Sequence, residues 1–289
     1  MEKKITLIVT VYNRLEYARN MIKCLLNQTE QIHELIFADD GSSEILMDYI
    51  EDLIPKCDFK IKHVYQEDKG FRLSKSRNNG VRASEGDYLI FLDQDVVFGN
   101  EFIKEIKENI ENNKILMSRP YMSTDEEKNN IQHALDKNQN YESILKELTN
   151  QAMHNSVKIF YKKDKMRNIL YKLKFKKRGA KIVGLFFALS KKNYIKVNGF
   201  DENYKGWGRE DDDFGNRLFK IGISTKPIKL KKTIIHMYHP FDPTKKESAN
   251  DKYYEKRKKE ISKKNYRCEY GFENPLGNDK IKFIVLKDF

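Results

Sequence analysis

Short apolar segments that alternate with helical segments constrain the fold of this chain more than any other feature of its sequence. Runs rich in β-branched and aromatic residues are typical of strands buried on both faces of a sheet. The predicted strands are residues 4–12, 34–38, 60–66 and 87–92, and helical patterns cover residues 15–28, 44–53 and 74–83 between them. Because parallel strands need such crossovers, the pattern predicts an α/β fold with an open, mostly parallel sheet flanked by helices.

Polar side chains follow three of these strands. Tyr12, Asp40 and Asp93 stand at or just beyond the ends of the first, second and fourth strand. In open α/β sheets, ligands bind at the carboxyl ends of the strands. We therefore expect the three residues to share one site.

Charge and cysteine content limit the function classes. The 289 residues include 55 Lys or Arg against 43 Asp or Glu, a formal charge of +12, which suggests an anionic partner. Nucleic acid, an acidic membrane and phosphorylated small molecules would all fit. An alternative interpretation is that the Lys-rich composition only reflects an AT-rich genome. Three widely spaced cysteines argue against a disulfide framework or a cysteine zinc site.

The sequence also bears on location. No apolar stretch approaches the roughly 18 residues that a membrane span needs, and the N-terminus lacks the pattern of a secretory signal. We expect a cytoplasmic protein without a transmembrane anchor of its own.

The motif Asp93-Gln94-Asp95 comes directly after a buried strand. Alternation along an extended chain points its two carboxylates the same way. Such oxygen ligands suit a divalent cation that bridges a diphosphate. The alternative is a pair of solvated acids in a loop.

An ordered set of motifs precedes this one: Thr10-Val-Tyr12-Asn-Arg14, Asp39-Asp40-Gly-Ser42, and the segment from Lys69 through Arg72 and Arg77 to Gly80. Together they resemble a glycosyltransferase of the GT-A fold, family 2 type. The resemblance covers residues 5 to about 102 and resumes from 184 to about 250.

The resemblance implies roles for individual residues. Asp40 would receive the uracil N3–H, Tyr12 would lie against the base, and Asp93 and Asp95 would hold ribose and metal. Thr10 and Arg14 belong to the same predicted nucleotide-sugar site. The aromatic face and the carboxylate suit uracil chemically. Ordinary packing under the next helix is the alternative for Tyr12.

Arg72 and Arg77 are candidates for offsetting diphosphate charge, because guanidinium binds phosphate in a bidentate manner. The alternative for Arg77 is an arginine on a helix surface. Residues 1–120 would then form the nucleotide-sugar-binding half of the domain.

A second motif, Gly206-Trp207-Gly-Arg209-Glu210-Asp211-Asp212-Asp213, places four acids beside the only tryptophan. It is similar to the acceptor region of galactosyltransferases and chondroitin-polymerase-like enzymes, whose pattern is Trp-Gly-Gly-Glu-Asp. The resemblance assigns the general base to Asp211, with Glu210 beside it, and acceptor contacts to Trp207 and Asp212. The sequence departs from the family at Arg209, so acceptor choice does not carry over. The alternative is that the acids complement a helix dipole.

A carboxylate base of this kind supports a single displacement that inverts the anomeric centre. Crowding among the four acids predicts that at least one carboxyl pKa is raised. Residues 183–250 would form the acceptor and catalytic half.

His236 and His239 follow an apolar segment that begins at Thr233. Many metal-dependent members of the fold have a histidine here that completes the metal shell, and the spacing favours His236, with His239 as an alternative ligand or a phosphate contact. A nitrogen ligand beside carboxylates favours Mn²⁺ over Mg²⁺. Two histidines packed against the sheet edge are the alternative.

Residues 121–182 are predicted to be a helical, basic insertion, and residues 251–289 a charged, helical C-terminal extension. Residues 158–181 contain eleven Lys or Arg and one acid. Met166, Ile169, Leu170 and Leu173 fall there at helical spacing, which fits an amphipathic helix on anionic lipid or an ordinary packed helix equally well.

These features favour an inverting, metal-dependent glycosyltransferase that moves a hexose or N-acetylhexosamine from a UDP-sugar to a glycan or lipid-linked acceptor in bacterial surface polysaccharide synthesis. Peripheral contact with an anionic membrane would fit a lipid-linked acceptor. A non-catalytic carbohydrate-binding subunit of the same fold is one alternative. A basic nucleic-acid-binding protein is another, although no nucleic-acid-binding motif supports it.

Overall fold

An eight-stranded mixed sheet forms the centre of the computed structural model, which describes residues 3–173, 175, 181–240 and 248–289. The strands are β1 (Ile5–Val11), β2 (Glu34–Asp39), β3 (Lys60–Gln66), β4 (Tyr88–Asp93), β5 (Val96–Val97), β6 (Lys114–Met117), β7 (Tyr121–Met122), β8 (Phe186–Ser190), β9 (Ser224–Pro227), β10 (Ile235–His236) and β11 (Ile281–Lys287). The large sheet has the order β11-β3-β2-β1-β4-β8-β6-β9, and β5-β10-β7 form a small second sheet.

Helices cover both faces of the large sheet. They are α1 (Glu16–Leu26), α2 (Met47–Ile50), α3 (Leu73–Ala83), α4 (Phe102–Asn109), α5 (Asp125–Asp136), α6 (Glu142–Lys172), α7 (Lys191–Lys196), α8 (Glu210–Lys220) and α9 (Asp251–Ser262), with a 3₁₀ turn at Ile54–Lys56. The predicted fold class is confirmed.

The apolar run of β1 is unbroken because both of its faces are buried. Leu7 and Val9 pack in one core layer with residues of α1, whereas Ile8 packs in the other with Val81 of α3 and Phe214 of α8. Each of these β1 side chains is fully buried. Since β1 pairs in parallel with β2 and β4, the ends of the three strands meet at one edge of the sheet.

Not every element of the sequence pattern forms as a complete helix or strand in the structure. The helix expected over 44–53 is reduced to α2 followed by the 3₁₀ turn, where Pro55 supplies no backbone N–H for a continuing helix. The apolar run 183–189 forms a strand only from Phe186, since the Gly184 carbonyl accepts a hydrogen bond from Arg77 instead of a neighbouring strand.

The C-terminal extension is not only helical. After α9 the chain adds β11 to the edge of the sheet, antiparallel to β3. Phe283, Ile284 and Val285 of this strand remain exposed, so β11 is an edge strand and not part of the buried core.

The predicted helical insertion contains α5 and α6. A capping box at Thr124 and Glu127 starts α5. Residues 174 and 176–180 of the basic stretch lie outside the described residues. Within the described chain, none of the helices combines the length and the apolar character needed to cross a bilayer.

Candidate active site

A cavity of about 570 Å³ opens at the carboxyl ends of β1, β2 and β4. All the predicted site residues except Arg72 and Asp212 line it: Thr10, Tyr12, Arg14, Asp40, Arg77, Asp93, Asp95, Trp207, Glu210, Asp211, His236 and His239. The fold thus brings together both motifs and both histidines.

Asp40 is held at the floor of the cavity by two hydrogen bonds. Gln66 Nε2 donates to its Oδ1 at 2.5 Å, and the backbone N–H of Arg72 donates to its Oδ2 at 2.7 Å. Burial raises the pKa of Asp40 to about 6.

The next residue, Gly41, has a φ of 98°, and a Cβ there would lie 2.5 Å from the Cα of Asp68. Only glycine fits this turn.

Tyr12 presents its ring to the cavity and is 45% exposed, which contradicts the alternative of ordinary core packing. Its hydroxyl donates to Asp68 Oδ2 at 3.0 Å, and this hydrogen bond raises the pKa of Tyr12. An exposed aromatic face beside a buried carboxylate suits a flat heterocycle that carries an N–H donor.

The middle residue of the Asp-x-Asp motif has a structural role. Gln94 Oε1 accepts the backbone N–H of Tyr12 at 2.9 Å, and Gln94 Nε2 donates to the carbonyl of Asn13 at 3.1 Å. Asn13 and Arg14 both have a φ of 50°, an uncommon conformation for residues other than glycine. Gln94 therefore fixes the turn that carries Tyr12 against the β4 end.

Asp95, His236 and His239 form a cluster in which one ligand atom from each lies within 4.8 Å of the others. His236 Nε2 is 3.4 Å from Asp95 Oδ1, and His239 Nε2 is 3.4 Å from Asp95 Oδ2. The β5–β10 pairing produces this contact, because it sets His236 opposite Val96. Both histidines face the acid, which contradicts the alternative of two rings merely packed at the sheet edge.

The donor set fits a divalent cation. Asp95 is 5% exposed, and its Oδ1 has no hydrogen-bond partner among the residues described. A buried carboxylate oxygen without a donor, beside two imidazole nitrogens, is typical of a borderline transition-metal site.

Arg77 is fully buried, so the alternative of a helix-surface arginine is wrong. Its Nη1 donates to Asp211 Oδ1 at 2.8 Å, and its Nη2 donates to the Gly184 carbonyl at 3.2 Å and lies 3.5 Å from Asp93 Oδ1. A Cβ at Gly184 would lie 2.3 Å from Asp211 Oδ2. A larger residue at position 184 would therefore displace the Asp211 carboxylate from its present position.

The four acids of the second motif separate in the structure. Glu210 and Asp211 line the cavity, Asp212 pairs with Lys181 at 3.1 Å, and Asp213 is buried against Arg217 at 2.6 Å. The predicted rise of a carboxyl pKa is confirmed, but burial is its main cause. Burial, with the charge of Asp211 added, raises the pKa of Glu210 to about 7. Burial also raises the pKa of Asp211, against the opposing effect of Arg77.

A second cavity of about 670 Å³ adjoins the first and shares Trp207, Glu210 and Asp211 with it. Asp212 and Arg209 line it as well. Trp207 is 46% exposed and stands at the boundary of the two cavities.

Arg209 has a φ of 76°, in the left-handed region that favours glycine. Its guanidinium donates to Asp251 of α9 at 2.6 Å and lies 3.6 Å from Asp212. The side chain that departs from the family pattern is therefore anchored to the C-terminal extension.

Arg72 does not line the cavity through its side chain. Its Nη1 donates to Asp279 at 2.6 Å, and its Nη2 donates to the Glu67 carbonyl. Its contribution to the site is the backbone N–H that binds Asp40.

Sequence reasoning missed Gln94, Gly184 and Asp279. The glycine inside the apolar run 183–189 was an available signal, because glycine in a strand pattern often marks a close approach. Asp279 had no local signal, since its partners lie about 200 residues earlier in the chain.

The comparisons with known proteins identify the family of this chain. The family model described as Glycosyl transferase family 2 matches residues 6–175, and that described as N-terminal domain of galactosyltransferase matches residues 164–240. The two resemblances predicted from the motifs are thus confirmed.

This chain is also similar to curated proteins and to solved structures. Hyaluronan synthase of Pasteurella multocida is 31% identical over 86% of this chain, and Chondroitin synthase of P. multocida strain Pm70 is 29% identical over 78%. The matched regions are 25% and 24% of those synthases, so the chain spans about a quarter of their length. The fold is also that of S. aureus TarS 1-349 in complex with UDP-GlcNAc, with a TM-score of 0.57 at 13% identity, over 93% of this chain and 68% of that one.

Proposed function

Because the chain belongs to glycosyl transferase family 2, we propose that it moves a hexose or N-acetylhexosamine from a UDP-sugar to a hydroxyl of a glycan or lipid-linked acceptor. The observation that carries the proposal is the shared cavity, in which Asp40, the Asp95 cluster and Asp211 surround one space. The synthases among its relatives support a setting in bacterial surface polysaccharide synthesis.

Donor recognition would use the ends of β1 and β2. Asp40, already fixed by two donors, would accept the uracil N3–H, and the exposed ring of Tyr12 would stack on the base. A carboxylate with a pKa of about 6 is mostly ionised at pH 7, so it is an acceptor there. Thr10 and Asp93 would contact the ribose side.

Asp95, His236 and His239 would hold the divalent cation, with Asp93 beside them, and the nitrogen ligands favour Mn²⁺ over Mg²⁺. When bound, the ion would offset negative charge on the diphosphate. Arg14, 3.6 Å from Asp95, would add a positive charge on the same side.

Asp211 would act as the general base, with Glu210 beside it for acceptor hydroxyls. It would remove the proton of the acceptor hydroxyl while that oxygen attacks the anomeric carbon and the bond to the diphosphate breaks. The attack comes from the side opposite the leaving group, so the anomeric centre inverts. Arg77 would keep Asp211 ionised despite its burial, since guanidinium opposes the rise in pKa.

The acceptor would enter through the second cavity, past Trp207 and Asp212. In this arrangement residues 1–120 serve the donor, residues 183–250 serve the acceptor, residues 121–182 form an insertion and residues 251–289 an extension. If the acceptor is lipid-linked, the basic insertion would contact the anionic membrane that carries it.

A nucleotide-sugar screen tests the proposal. UDP-sugars with Mn²⁺ are expected to raise the unfolding temperature more than GDP-sugars or Mn²⁺ alone, because a ligand that binds only the native state stabilises it. Release of UDP that depends on an added oligosaccharide would show transfer. Binding without release in the presence of any glycan acceptor would favour the carbohydrate-binding alternative.

A further inference from the structure

Residues 241–289 lie outside both matched family ranges, yet the described part of this tail contacts the donor side of the cavity. We infer that Asp279 is a positioning residue for nucleotide recognition, which it serves by fixing the donor loop, residues 67–72, against Asp40. The inference rests on the proposed UDP-sugar donor and adds a function for the tail.

Asp279 gathers three cations from one short stretch of chain. Its carboxylate accepts from Lys69 Nζ at 2.8 Å, Arg72 Nη1 at 2.6 Å and Lys75 Nζ at 2.6 Å. These hydrogen bonds hold the pKa of Asp279 well below its usual range. The side chains of Arg72 and Lys75 are 11% and 6% exposed, so neither can simply turn to solvent if the carboxylate is removed.

The donor loop transmits this contact to the site through its backbone. The N–H of Arg72, the residue whose guanidinium binds Asp279, donates to Asp40 Oδ2 at 2.7 Å. The carbonyl of Phe71 accepts from the N–H of Gly206 at 2.9 Å, which ties the loop to the segment of Trp207. Gly70 and Phe71 line the cavity themselves.

The tail also supports the other hydrogen bond to Asp40. Strand β11 pairs with β3 so that Ile281 lies opposite Gln66, whose side chain donates to Asp40 Oδ1. Between these points, the Leu276 N–H donates to Glu202 at 2.8 Å and its carbonyl accepts from Lys75. The tail therefore contacts the backbone segments that carry both donors to Asp40, Gln66 and Arg72.

Positioning and simple charge compensation predict opposite results. If Asp279 only offsets positive charge, its removal raises the local potential, tightens UDP binding and leaves uridine unaffected. If it positions the loop, its removal lets Arg72 shift, so that Asp40 loses a donor and its orientation. Binding of the base itself then suffers, with or without phosphates.

The affinities for uridine and for UDP distinguish positioning from charge compensation. We expect Asp279→Asn to weaken binding of uridine, followed by ligand-observed NMR, and of UDP with Mn²⁺, followed by calorimetry, by the same factor of about 10, the scale of one hydrogen bond to a charged group. Asp279→Glu keeps the charge and is expected to lose less. The matched control is Asp288→Asn, which removes an ion pair to Lys60 from the same tail and leaves the donor loop alone.

The outcomes are distinguishable. Wild-type protein that binds neither UDP nor uridine would overturn the proposed donor itself. Two results would overturn only the positioning role, provided that wild-type protein binds both ligands. In the first, the affinities of Asp279→Asn equal those of Asp288→Asn; in the second, Asp279→Asn binds UDP more tightly and uridine as wild type does. Should Asp279→Asn fail to fold in a thermal unfolding assay, Arg72→Gln breaks the contact between Arg72 and Asp279 from the other side and is expected to weaken uridine binding to a similar extent.

Discussion

Arg77 Nη1 donates to Asp211 Oδ1 at 2.8 Å, and the same guanidinium lies 3.5 Å from Asp93. One buried cation thus joins the predicted catalytic base at the start of α8 to the predicted donor carboxylate at the end of β4. Because Arg77 also packs over the rings of Phe187 and Phe200, its position is set by the core beneath the sheet. The geometry of base and donor site therefore depends on a single side chain of α3.

Replacing Asp211 by Asn tests the base. The amide keeps the size of the side chain but cannot take a proton, so we expect turnover to fall by roughly 10²-fold or more, in line with the usual contribution of general-base catalysis. UDP affinity, measured by calorimetry with Mn²⁺, should stay within a few-fold of wild type. Intact turnover in Asp211→Asn combined with its loss in Glu210→Gln would move the role to Glu210.

The metal cluster gives a second prediction. Asp95→Ala is expected to abolish the Mn²⁺ dependence of UDP binding, because it removes a carboxylate that both histidines face. His236→Ala and His239→Ala should each weaken Mn²⁺ binding in calorimetry without UDP, whereas His133→Ala on the exposed side of α5 should not. Unchanged UDP affinity with Mn²⁺ in Asp95→Ala would remove this residue from the site.

Asp40 makes folding stability depend on pH in a defined direction. Its folded pKa of about 6 exceeds the ordinary value of 3.8, so its stabilising contribution is complete below about pH 3.8 and is lost as pH rises through 6. The free energy of unfolding of wild type minus that of Asp40→Asn should fall by about 2 kcal/mol between pH 4.5 and 7.5, from 1.36 kcal/mol per pKa unit. Denaturant titrations of the ligand-free proteins at both pH values measure this difference. A constant difference would mean that burial does not perturb Asp40.

Local sequence patterns predicted the donor half well. A strand buried on both faces leaves an unbroken apolar run, and the residue after it must lie at the sheet edge, so Tyr12, Asp40 and Asp93 could be placed without any long-range information. The roles of Arg77 and Gln94 were not accessible in this way, since they depend on which distant backbone or carboxylate each side chain meets.

The contribution of the tail was hidden for the same reason. Asp279 is one acid in a charged, polar segment, and its effect comes from ion pairs with residues about 200 positions earlier in the chain. Likewise, the two-residue pairing of β5 with β10 sets His236 opposite Val96, next to Asp95. Such short strands carry too little periodicity to be read from sequence.

Arg209 allows a paired test of backbone strain. Arg209→Ala removes the contacts to Asp251 and Asp212 but keeps a side chain at a φ of 76°, whereas Arg209→Gly removes the same contacts and also the strain. The glycine variant should be more stable than the alanine variant by about 1 kcal/mol in thermal or denaturant unfolding. Equal stability of the two would show that the loop relaxes freely around this residue.

The last prediction concerns the exposed face of α6. Of the four apolar residues at helical spacing, Met166, Ile169 and Leu173 are 61%, 47% and 58% exposed, whereas Leu170 is half-buried. Most of this apolar stripe is therefore open to solvent. Amid a basic stretch, such a stripe fits the surface of an anionic membrane, where each Lys or Arg contributes about 1 kcal/mol. Wild-type protein should therefore sediment with vesicles that contain anionic lipid and be released as salt screens the charges.

Two variants separate the apolar from the electrostatic part of that binding. Changing Met166, Ile169 and Leu173 to Ser should reduce binding even at low salt, and changing Lys172, Lys174, Lys176 and Lys177 to Glu should reduce it further. The control is Ile45→Ser, which removes an isoleucine that is 63% exposed elsewhere on the surface and should leave binding unchanged. Equal recovery of all these proteins in the supernatant would leave the stripe as a solvated face or an acceptor-binding surface.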